Sequence, residues 1–84
     1  MKPITYQPAA RKALRKMPAN THKRIVGKIV AYATDPASQA NNVAKLKGQD
    51  NIRLRVGNWR VIMKETTVID VVKIGPRGSI YEGD

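Results

Sequence analysis

The segment "NIRLRVGNWRVIMK", residues 51–64, constrains the fold more than any other. Apolar and basic residues alternate along it, and Gly57 and Asn58 interrupt the alternation with two residues that tolerate positive φ, as a tight hairpin turn requires. A two-residue turn then determines the register. Val56 faces Trp59, Leu54 faces Val61 and Ile52 faces Met63, all on one side. On the other side Arg55 faces Arg60, Arg53 faces Ile62, and Lys64 continues the row. The first side is wholly apolar and needs a covering layer. The second sets like charges directly opposite one another, which is unfavourable. A neutral pair would serve folding better, so an anion is expected on this face. Solubility and protection of an exposed sheet edge are the competing explanations.

The covering layer is expected from the N-terminal half. Residues 8–17 predict a helix opened by Pro8, whose missing N–H does no harm in a first turn. Ala10, Ala13, Leu14 and Met17 form its narrow apolar stripe, and Pro18 ends it. Residues 19–34 predict a second helix, with Ile25, Val26, Ile29, Val30 and Ala33 on one broad face. So short a link makes the two an antiparallel hairpin. A short strand is expected at residues 4–7, and a loop or single helical turn at 36–44. A last strand, Val68–Ile74, follows a turn at residues 65–67, stops at Gly75-Pro76 and leaves a short tail in solvent. The expected fold is α+β, in the order β-α-α-β-β-β: one domain over residues 1–84, a helical hairpin packed on a mostly antiparallel four-stranded sheet.

Charge narrows the class of partner. Sixteen Lys and Arg against six Asp and Glu give +10, beyond the magnitude of about 2–8 that solubility asks of a small domain. A polyanion is the natural partner. A membrane surface suits it less, because the basic residues are spread over strands as well as helices. No apolar run has the length of a signal peptide or a membrane span, and there is no cysteine, so a cytoplasmic protein is expected.

The same inventory removes several chemistries. His22 is the one histidine, placed near the start of the second helix, and is expected to be a surface residue without a role. Asp35, Asp50, Glu65, Asp70, Glu82 and Asp84 have no metal-ligand spacing, so no metal or other cofactor is expected. Asp70 reads as a pairing or edge residue. What remains is Arg, Lys and Tyr around a phosphate. If the last strand pairs beside the hairpin, its end brings Arg77 and Tyr81 near the arginines, giving guanidinium groups for phosphate and a ring to stack on a base. RNA carries its own nucleophile, the 2′-OH, and fixed cations suffice to promote its attack.

"KLKGQDNIRLRVGNWRVIMK" followed by "VIDVVKIGPRGSIY" resembles the RelE branch of the RelE/ParE superfamily, toxins of type II toxin–antitoxin modules with a RelE-like microbial RNase fold. The resemblance is strongest from Lys45 to Tyr81. It implies a metal-independent endoribonuclease that cuts mRNA in the ribosomal A site. It also implies a cognate antitoxin encoded nearby, through which the complex can bind operator DNA. Arg53 stands where such toxins place a cation that stabilises the transition-state phosphate, and Arg60 matches the arginine that grips the scissile phosphate. Arg77 matches the arginine acting on the 5′-oxygen leaving group, and Tyr81 the tyrosine that orients or stacks the nucleotide. Lys45, Lys47 and Arg55 are auxiliary phosphate contacts. Asn51 occupies the place of a lysine proposed to assist the base in some members, and Pro76 that of a frequent His or Lys. Two alternatives stay open: a ParE-type toxin acting on DNA gyrase, and a catalytically weak basic RNA-binding domain. Replacing Arg55 or Arg60 by threonine is expected to leave the fold intact.

Overall fold

In the computed structural model, residues 1–45 and 51–80 are described, with the last two known by backbone alone. The hairpin forms in the expected register. β3 (Asn51–Val56) and β4 (Trp59–Glu65) pair antiparallel, with Arg55 opposite Arg60, Leu54 opposite Val61 and Ile52 opposite Met63. Of the two turn residues only Gly57 takes positive φ, at 59°, as the first central residue of a type II′ turn does. A β-carbon there would also come within 2.9 Å of Arg24 Nη2. The positive φ favours glycine there, and a side chain would also push aside the Arg24 guanidinium that lies against it.

β1 (Ile4–Tyr6) precedes α1 (Pro8–Lys16) and α2 (Ala19–Thr34), and β5 (Ile69–Pro76) follows the hairpin. β5 pairs antiparallel with β4, and β1 adds in parallel to its far side through Ile4↔Ile69 and Tyr6↔Val71. Both helices lie on the Leu54 face. Ala10, Leu14, Ile25, Ile29 and Ala33 join Ile52, Leu54, Val56, Val61, Met63, Ile69 and Val71 in one apolar core. His22 is exposed, and its Nδ1 lies 3.1 Å from the Leu14 carbonyl. It thereby satisfies one of the unpaired carbonyls in α1's last turn. None of the described helices is long and apolar enough to cross a membrane.

Four features differ from the expectation. The sheet has five strands, in the order β1-β5-β4-β3-β2, because β2 (Val43–Lys45) pairs with the outer edge of β3. Residues 36–42 before it form short 3-10 turns joined by a kink at Gln39, in keeping with the helical turn allowed for there. β5 runs through Gly75-Pro76 instead of stopping there, since Pro76 sits at the strand's last position opposite Trp59, where a missing N–H is tolerated. The segment after it is a short helix, α3 (Arg77–Ile80), in place of a loose tail. A bulge also interrupts the β4–β5 ladder between Ile62 and Met63 and leaves Val72 as the extra residue.

At the end of the sheet away from the turn, Glu65 accepts hydrogen bonds from Tyr32 Oη and, at 2.8 Å, from Lys2 Nζ. Lys2 and Tyr32, aided by the charge of Lys45, hold the Glu65 carboxyl below its usual 4.5. Burial, the bond to Glu65 and its negative charge push the Tyr32 phenol up to about 12. A lowered carboxylate pKa gives stability that is present above the unfolded value and lost as pH falls through the native one. Glu65→Gln is therefore expected to melt below wild type at neutral pH, and the two curves are expected to converge in acid. A gap that stays constant into strong acid would show that the pin does not depend on charge.

Candidate functional site

The sheet's second face, on which neither α1 nor α2 lies, carries the basic residues. Alternation along β3 and β4 puts Arg53, Arg55, Arg60, Ile62 and Lys64 there. Lys73 joins them from β5 as the partner of Ile62. It escaped the sequence reading because its neighbours Val71, Val72 and Ile74 hide the alternation; only the pairing with Ile62 reveals its face.

Arg53, Arg55 and Arg60 converge on a cleft of about 150 Å³, completed by Asn41, Asn42, Val43 and Ala44. The 3-10 turns and β2 thus supply one wall, of which only β2 departs from the loop or single helical turn expected at 36–44. Arg55 is exposed, with Nη2 3.3 Å from Asn42 Oδ1. Arg60 is different. It is only 8% exposed, and its Nη1 donates to the carbonyls of Gly57 at 2.8 Å and Trp59 at 2.9 Å. Its guanidinium is fixed by the turn it follows, so the expectation that its loss leaves the fold untouched is revised: Arg60 also braces the hairpin.

Arg77 begins α3, and its backbone N–H donates to the Asn58 carbonyl at 2.8 Å. The end of β5 therefore docks beside the hairpin turn, and Arg77 is brought to the same end of the sheet as Arg60. Lys45 is not brought to the cleft. It pairs with Ile52, on the face toward the helices, and its charge acts on Glu65. Lys47 and Tyr81 lie outside the described residues. Asp70, at the β1 side of the basic face, accepts from Thr5 Oγ1 at 2.9 Å and Gln7 Nε2 at 2.7 Å, a pairing role that ties β1 and the start of α1 to β5.

A helical hairpin on one face of a small sheet, with arginines gathered in a cleft on the other, is the architecture of a small basic phosphate-binding domain. A chain of the archaeal RelE–RelB complex from Pyrococcus horikoshii OT3 is 27% identical, with a TM-score of 0.78 over 93% of this chain and 97% of that one. The isolated RelE toxin of E. coli shares the fold at 20% identity, with a TM-score of 0.76 over 96% of this chain and 92% of its own. So does a chain of the RelB–RelE complex from Methanococcus jannaschii, at 23% identity and a TM-score of 0.73, over 95% of this chain and 98% of that one. The comparison with curated proteins finds no match. The sequence profile of the ParE toxin of the type II toxin–antitoxin system parDE matches residues 4–81. The chain belongs to this toxin family, within the RelE/ParE superfamily, and is a toxin of a type II toxin–antitoxin module.

Proposed function

We propose that this toxin is a metal-independent endoribonuclease that cleaves mRNA in the ribosomal A site and so inhibits translation. The observation that carries the reading is the convergence of Arg53, Arg55 and Arg60 on one cleft, with Arg77 anchored at the same end of the sheet. The substrate's 2′-hydroxyl gives up its proton to water as its oxygen attacks the adjacent phosphorus, the bond to the 5′-oxygen breaks, that oxygen takes a proton from water, and a 2′,3′-cyclic phosphate and a 5′-hydroxyl result. Arg60 grips the scissile phosphate, and Arg53 neutralises the charge that grows on its oxygens. Arg77 stabilises the departing 5′-oxygen. Tyr81 stacks on the nucleotide, and Lys47 and Arg55 hold neighbouring phosphates. His22 is bonded to Leu14 on the helical layer, so proton transfer does not use it. Rate enhancement rests on orientation and charge, which accounts for a dependence on the ribosome to present the RNA. The reading places the protein in the cytoplasm.

A cognate antitoxin neutralises the toxin and carries the complex to operator DNA. Solved relatives that are RelE–RelB complexes support a partner of this kind. The family's description as the toxin of parDE favours a second reading, inhibition of DNA gyrase.

Controlled expression followed by mapping of mRNA 5′ ends on translating ribosomes separates the two. Cuts phased with codons, absent in Arg53→Ala and Arg77→Ala, are expected. Growth arrest with DNA damage and intact mRNA would instead favour gyrase.

A further inference from the structure

The hairpin tip collects a cation that the cleft does not include. Arg24 lies on α2, in the helical layer, yet its Nη2 sits 2.9 Å from the place a Gly57 β-carbon would occupy. Arg60 Nη1 bonds the carbonyl of that same glycine from the sheet side, at 2.8 Å. Arg77 bonds the next carbonyl, that of Asn58, through its backbone N–H. The side chains of Arg24 and Arg60 and the backbone of Arg77, from three different elements, thus meet at a two-residue turn. Arg24 and Arg77 are exposed, and no described acidic residue forms an ion pair with either.

Glycine at the turn is what admits the guanidinium of Arg24. The charge on the helical layer thereby reaches the edge of the basic face at one point.

We infer that Arg24 is a phosphate-binding residue, gripping at the hairpin tip the backbone phosphate of single-stranded RNA next to the one that Arg60 and Arg77 act on. A planar guanidinium suits the two-point recognition of a phosphate. The strand leaves the cleft over Gly57-Asn58 and meets the start of α3 there. This deepens the ribonuclease reading, because it gives the bound RNA a path beyond the scissile phosphate.

The test is fluorescence anisotropy with a short single-stranded 2′-O-methyl RNA, which binds but cannot be cut, across a salt series. Arg24→Gln is expected to weaken binding several-fold and to lower the slope of log affinity against log salt by about 0.7, the share of one phosphate contact on a single strand. Lys28→Gln removes the same charge one helical turn further along α2, toward the end where Tyr32 meets Glu65. It is expected to have a much smaller effect. Thermal melting of Arg24→Gln is expected to match wild type, since the residue is exposed.

If Arg24→Gln acts no more strongly than Lys28→Gln while Arg53→Gln weakens binding, the tip grip is wrong and the cleft reading stands. If Arg24→Gln weakens binding and Arg53→Gln does not, the grip stands and the cleft loses its role. Wild-type protein that fails to bind the RNA would overturn both.

Discussion

Arg60→Ala is expected to slow the proposed cleavage of ribosome-bound mRNA severely and to loosen the hairpin at the same time. Losing an electrostatic stabiliser of the reacting phosphate lowers the rate by about 10²–10³. The structural loss comes from the two turn carbonyls that Arg60 holds. Hydrogen bonds to a charged group contribute about 1.5–3 kcal/mol each, and the residue is buried. Arg55→Thr provides the contrast. Arg55 is exposed, and its contacts to Asn42 and Asn41 are long, at 3.3 and 3.5 Å. Its replacement should change stability by no more than about 0.5 kcal/mol. Arg60→Lys keeps the charge and a nitrogen with several donors, but not the planar guanidinium whose Nη1 reaches both carbonyls, so it should recover part of the rate and part of the stability. Urea denaturation and 5′-end mapping on the same variants decide the matter. An Arg60→Ala protein as stable as wild type would remove the brace, and one that still cuts would remove the grip.

Leu54→Ala has the largest expected effect on folding. Leu54 is fully buried at the centre of β3, between Val43 on β2 and Val61 on β4. Truncating such a leucine costs about 2–5 kcal/mol, depending on how far the cavity collapses. An 84-residue chain has a total stability of about 4–13 kcal/mol at the usual figure per residue. Phenylalanine is absent, and the largest fully buried side chains are aliphatic or methionine, among them Ile25, Ile29 and Met63. The variant should melt at least about 10 °C below wild type, which circular dichroism reads directly. A loss below about 1 kcal/mol would show that the two layers close over the gap, relaxing further than truncated cores usually do.

The sequence was most informative where a periodicity ran long enough to be counted. α2 begins and ends where its apolar stripe and the flanking prolines place it. The hairpin register follows from Gly57-Asn58 and the alternation on either side. β2 escaped because Val43, Ala44 and Lys45 are too few to display a period; the outer edge of β3 recruits them through its unpaired backbone groups. Gly75-Pro76 was over-read as a stop, since a proline at a strand's end loses no ladder bond there. In the site, the arginines' shared face was legible from alternation alone. The depth of Arg60 was not, because it depends on where the turn carbonyls point. Arg24 was illegible for a different reason: nothing in a helix's own sequence states which turn of a later hairpin it will lie against. Lys45 misled because proximity in sequence to the hairpin suggested its face, whereas its partner Ile52 sets it on the other one.

The parallel pairing of β1 with β5 joins the two ends of the chain, with Thr5 bonded to Asp70 across 65 residues. Contacts of such long range are among the last to form. During synthesis α1 and α2 emerge first, with no sheet to cover, and β4 gains its second neighbour only when β5 leaves the exit tunnel. The sheet therefore stays open along an unpaired edge of β4 until its last strand has been made.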